Sequence, residues 1–163
     1  MENDHSGHAS TKQTKHYKKL LIMAVLSFIA MYVLMYAMVN SFANVFPSVN
    51  QFYMAGLMAS PMVIIEIAIM SAMYTNKNLN VAIVSVSIVA LATFYIFIRQ
   101  QVGVSDRQFL KSMIPHHAGA ILMCQGANLN DPELKKLCEE IVSSQQREID
   151  QMKAKLLELE NRQ

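Results

Sequence analysis

Three apolar runs dominate the first hundred residues and leave little choice of fold. Leu20 to Val39 carries no charge and follows Lys18-Lys19. Tyr53 to Tyr74 carries one charge, Glu66, between flanking tyrosines, and Val81 to Ile98 is rich in Val and Ile and ends at Arg99. Each is close to the roughly 20 residues that cross a hydrocarbon core of about 30 Å, so three transmembrane helices are expected. The first run resembles a secretory signal, with Ser41-Phe42-Ala43 as a small-residue site. Its apolar stretch exceeds the usual h-region of about 7–15 residues, which makes it an uncleaved anchor. Composition agrees: 53% of residues are hydrophobic and only 16% charged, against about 25% in a soluble globule.

The lysines orient these spans. Lys12, Lys15, Lys18 and Lys19 precede the first, and Lys77 lies in the second connection. The first connection, Asn40 to Asn50, has no Lys or Arg, and Arg99, Arg107 and Lys111 follow the third span. The excess puts the N-terminus in the cytoplasm, and an odd number of spans then puts the C-terminal part outside. In a bacterium this is the cytoplasmic membrane with a periplasmic domain.

Beyond Ser105 the chain turns polar, with 8 basic and 9 acidic residues. Ser105 or Asp106 caps a helix running to about Ala127, with Phe109, Met113, His117, Ala120 and Cys124 along one side. Asn128 to Pro132 breaks it, Asp131 serving as N-cap and Pro132 as the first helical residue of a partner that runs to about Leu159. Pro115 should kink the first helix just before the two histidines. The result is a helical hairpin.

Within it, Met113-Ile114-Pro115-His116-His117 carries the chemistry. On a helix Met113 and His117 share a face one turn apart, with His116 beside them. Met123 and Cys124 follow, and Cys138 and Met152 come from the second helix. Imidazole, thioether and thiolate select soft metals, copper(I) above all and silver by the same logic. Met also fills irregular core space. Cys124 and Cys138, close across the hairpin, read first as small buried apolar groups, and behind that, on equal terms, as ligands or a disulfide. Gln145 and Glu148 read as groups supporting the ligands rather than as ligands.

Asp106, Phe109, Met113 to His117, Gly119-Ala120-Ile121 and Met123 resemble the signature of the DUF305 family. So do Asp131-Pro132-Glu133-Leu134, Gln145, Glu148-Ile149 and Met152. The likeness covers Ser105 to Leu159, and the three-span front end resembles a membrane-anchored subgroup. It implies a ferritin-like helical bundle and periplasmic copper or silver binding at the His and Met positions. Soluble relatives often carry two hairpins in one chain, whereas here there is one. A lone hairpin exposes its stripe of Phe109, Leu137, Ile141, Ile149 and Leu156, so a homo-oligomer that completes four helices is expected.

Two further patterns stand apart. Asp4-His5-Ser6-Gly7-His8, with His16, offers weak metal ligands, but a polar tail of this kind is disordered by default. Met54, Met58, Met62, Glu66, Met70 and Met73 form a stripe along the second span, either as a thioether ladder for a soft cation or as packing. Glu66 has no charged partner within the spans.

The expected organisation is a disordered tail (1–19), a three-helix transmembrane module (20–99) and a helical hairpin (105–163), all-α throughout. No phosphate loop, nucleophile elbow or zinc-protease motif occurs, nor, from Ser105 onward, any Glu followed three residues later by His for a di-iron centre. A basic stripe for nucleic acid is missing too. The expected function is therefore not enzymatic. It is membrane-anchored binding of copper(I), with silver possible, through His116, His117, Met113, Met123, Met152, Cys124 and Cys138, in sequestration or resistance. Its partners are the bilayer, the metal ion and further copies of the chain. A transporter subunit using the Met/Glu stripe and a metal-free structural oligomer are the alternatives.

Overall fold

The computed structural model describes residues 5–162, and every regular element among them is helical. In order these are α1 (His5–Leu34), two short 3₁₀ turns (Met35–Met38 and Phe42–Asn44), α2 (Val49–Ile69), α3 (Lys77–Gln100), α4 (Asp106–Gly126) and α5 (Pro132–Asn161). The protein is all-α. Three segments, Gln13–Met38, Val49–Ile69 and Lys77–Gln100, are long and apolar enough to cross a bilayer, which makes this a membrane protein. The chain divides into two compact units, Met1–Tyr32 with Phe52–Gln100, and Val33–Gln51 with Gln101–Gln163.

The first unit holds most of the apolar length. Leu20, Ile67 and Tyr74 are buried together, with Tyr17, Met23, Val63, Ile83 and Val84 packed around them. Gly56 on α2 meets the Phe94 ring of α3 so closely that a Cβ there would clash with the ring carbons. Glycine is therefore what lets these two helices approach. Next to it, the Ser60 hydroxyl donates to the Gly56 carbonyl over 2.7 Å, which satisfies a buried polar group beside Pro61. Glu66 accepts a 3.4 Å hydrogen bond from the Tyr74 hydroxyl.

Two expectations change here. α2 closes at Ile69, so Met54, Met58, Met62 and Glu66 share a helical stripe while Met70 and Met73 fall in the turn beyond it. The tail expected to be disordered over residues 1–19 is helical from His5 onward. Extending a nucleated helix costs little per residue, and Gly7 is the only helix-weakening glycine on the way. Of the tail's metal motif, Asp4 and the side chains of His5 and His8 lie outside the described residues.

The second unit is the hairpin of α4 and α5 with the connection 33–51 laid against it. Its N-terminal signals act as the sequence implies: Asp131 Oδ1 accepts from the amides of Glu133 (2.8 Å) and Leu134 (3.0 Å), with Pro132 in the first turn. α4 begins after Ser105, whose side chain makes no capping bond, and runs through Pro115 without interruption.

The buried core is Ile114, Ala118 and Ile121 from α4 with Ile149 and Leu156 from α5. This corrects the expected face of α4. Ile114, His117, Ala118 and Ile121 recur at i, i+3, i+4 and i+7, which is the packing stripe of a helix. It shares His117 with the expected Phe109–Met113–His117–Ala120–Cys124 line but is rotated from the rest of it, and Phe109 remains 49% exposed.

Of the stripe expected to lie uncovered, Phe109 and Leu137 stay exposed, whereas Ile149 and Leu156 are buried in a core on which Val39 and Phe46, from the connection between the first two spans, also pack. The amide of Val49 also donates to Gln108 Oε1 over 2.9 Å, satisfying an orphan donor at the start of α2. Residues 33–51 therefore belong with the hairpin rather than with a membrane module of 20–99. Sheltering apolar surface on both α4 and α5 outweighs their place in the chain.

Candidate metal centre

The tandem histidines part company on α4. Successive helical residues diverge by about 100° and cannot share a face. His117 turns into the hairpin and is 9% exposed, whereas His116 is exposed. Their ring centroids stand 6.0 Å apart.

Both ring nitrogens of His117 are engaged. Nδ1 lies 2.8 Å from the Met113 carbonyl oxygen. A carbonyl only accepts, so Nδ1 carries hydrogen and donates. Nε2 lies 2.7 Å from Glu148 Oε2 on α5, and one proton bridges that pair. Fixing Nδ1–H on a backbone carbonyl is the arrangement that orients a metal-ligating imidazole, because it leaves the Nε2 lone pair for the ion. A proton and a metal ion compete for that lone pair. Glu148 has 48% of its side chain exposed, so a rotamer change toward solvent uncovers Nε2.

The register of the hairpin then decides which other donors are near. Cys124 and Cys138 face each other, as do His117 and Glu148. One helical turn from the latter pair, in opposite chain directions, brings Met113 on α4 level with Met152 on α5. Met152 packs against the hairpin core, and both thioethers are half-buried.

The remaining expected ligands fall elsewhere. Cys124 and Cys138 are joined in a disulfide with Cα atoms 5.2 Å apart. This removes both from the ligand set, since a bridged sulfur offers no thiolate. Met123 is 56% exposed, on the same side of α4 as His116. Among the described residues, no group of three or more His, Cys, Asp or Glu converges. Glu148 is the functional side chain that sequence reasoning placed in a supporting role, and it touches His117 directly.

Arg107 Nη2 donates to the Leu159 carbonyl over 2.7 Å, and Lys111 Nζ stands 4.0 Å from Glu160. These contacts fasten the open end of the hairpin, as the disulfide fastens its turn.

The chain matches the domain of unknown function DUF305 over residues 97–156. It is also 34% identical over 136 residues to an uncharacterised protein of Acanthamoeba polyphaga mimivirus, an alignment covering 82% of this chain and 88% of that one. The chain belongs to the DUF305 family. No solved structure matches it.

Proposed function

We propose that this protein is a membrane-anchored binding protein for a soft monovalent cation, copper(I) or silver(I), serving sequestration or resistance. Its donors are His117 Nε2 and the thioethers of Met113 and Met152, and Glu148 is the group that exchanges its shared proton for the ion. The observation that carries this reading is the buried imidazole, held through Nδ1–H, with two thioethers level with each other one turn away. One neutral nitrogen and two neutral sulfurs suit a soft monovalent ion. A divalent ion of the zinc or magnesium type asks for more nitrogen or oxygen donors.

The Cys124–Cys138 bridge supports an oxidising compartment for the hairpin, in agreement with the lysine asymmetry of the spans. Exposed Phe109, Leu134 and Leu137 support self-association into a larger helical bundle. Light scattering in detergent reads that state, and a folded monomer refutes it.

The site is tested by copper(I) competition titration of the full chain in detergent. His117→Ala is expected to weaken the affinity beyond the roughly 10–100-fold typical of losing an outer-shell group. Met113→Leu with Met152→Leu is expected to weaken it with the helical content unchanged. Glu148→Ala uncovers Nε2 and is expected not to weaken it. Parent-like affinity in His117→Ala refutes the assignment.

A further inference from the structure

The outward face of α4 carries donors that the site above does not use. His116 and Met123 lie seven residues apart, two turns along one side of the helix. Between them, on the same side, stands Gly119. It is buried although it faces away from the hairpin core, because the 3₁₀ turn Met35–Met38 covers it. A Cβ on Gly119 would lie 3.4 Å from the Met38 carbonyl oxygen and 3.9 Å from Met38 Cβ. The missing side chain admits Met38 to the surface of α4, one turn from His116 and one turn from Met123.

We propose that His116, Met38 and Met123 form a second soft-cation site, in which a thioether from the end of the first span closes over the hairpin. The proposal extends the functional reading above and relies on it only for the class of ion. All three side chains are accessible: His116 is exposed, Met38 is 50% exposed and Met123 is 56% exposed.

The axial rise from His116 to Met123 is about 10 Å. An ion bound to both would need the ring and the thioether at full reach, and Met38 stands over the middle of that gap. Imidazole with thioethers, and no carboxylate on this face of α4 between positions 113 and 123, selects copper(I) or silver(I) over hard divalent ions. Splitting the adjacent histidines between two faces therefore gives two sites of one chemical kind. One is enclosed at His117; the other is open at His116 and tied to the membrane segment through Met38.

Silver(I) nitrate titrated into the full chain in nanodiscs, with methionine methyl groups labelled with carbon-13, tests this directly. The parent is expected to take two silver ions, with the methyl resonances of Met38 and Met123 shifting together during one equivalent. Met38→Leu with Met123→Leu, which preserves volume, and His116→Ala should each remove one equivalent. His117→Ala should remove the other and leave the Met38 shift in place.

A parent that takes one ion, lost in the Met38/Met123 variant, refutes the His117 site and supports this one. The proposal is overturned if the Met38 and Met123 methyls do not move through two equivalents. It is also overturned if the double variant keeps the parent's stoichiometry and affinity, or if His117→Ala abolishes the Met38 shift.

Discussion

Reducing the bond between Cys124 and Cys138, or replacing both residues with serine, opens a loop closed across a sequence separation of 14. In the chain-entropy account, cross-linking a loop of about 15 residues stabilises the folded state by about 3 kcal/mol. The tight connection between α4 and α5 already holds these helix ends near each other, so the native contacts survive the change and the effect acts on the open state. It should therefore concentrate at the turn. The other end of the hairpin keeps its own fastening, Arg107 to the Leu159 carbonyl. Amide hydrogen exchange resolves this, because it reports opening free energies segment by segment. After reduction the last turn of α4 and the first turns of α5 should exchange about a hundredfold faster, the equivalent of about 3 kcal/mol. Amides of α2 from Phe52 onward and of α3, in the other compact unit, should not change. Exchange at the turn that stays the same after reduction, or acceleration spread evenly over all five helices, refutes the reasoning.

Three further substitutions follow from packing. Ile149→Ala empties a fully buried position in the hairpin core and should cost about 3 kcal/mol, read as a fall in the denaturation midpoint of the hairpin signal. Asp131→Ala removes the acceptor for two amides at the start of α5 and should cost about 1 kcal/mol, with faster exchange confined to the first turn of that helix. Gly56→Ala sets a methyl against the Phe94 ring and should cost about 1–3 kcal/mol through overpacking, seen as a lower melting temperature in detergent with the metal affinity unchanged.

The legible parts of this chain were those written in local pattern. Uncharged runs of about 20 residues announce spans whatever they pack against, and Asp131-Pro132 announces a helix start because both act within one turn. On α4 the chemically conspicuous side chains Met113, His117 and Cys124 share only His117 with the packing face. Ile114, Ala118 and Ile121 carried the packing period. Two features needed distances that no local pattern encodes. The pairing of His117 with Glu148 spans 31 residues and depends on the hairpin register. That Val39 and Phe46 serve the hairpin core is decided by apolar surface far along the chain. In the sequence Met38 ends a short stripe of Met31, Met35 and Met38 on the first span, and no local pattern ties it to Gly119 of α4.

The two fastenings of the hairpin bear on how quickly a guest ion comes and goes. A pair of helices joined only at its turn admits ligands as tweezers do, by spreading, and such collective motion takes microseconds to milliseconds. Here the turn is bridged by Cys124 and Cys138, and the open end is tied from Arg107 to Leu159. The frame is closed and the level of His117 lies inside it. What remains free to move is the half-exposed Glu148 side chain, and exposed side chains change rotamer in picoseconds to nanoseconds. If His117 takes the ion as proposed, loading is gated by one carboxylate rather than by the backbone, and its rate should track the mobility of position 148 while remaining indifferent to how firmly the two helices are bound together.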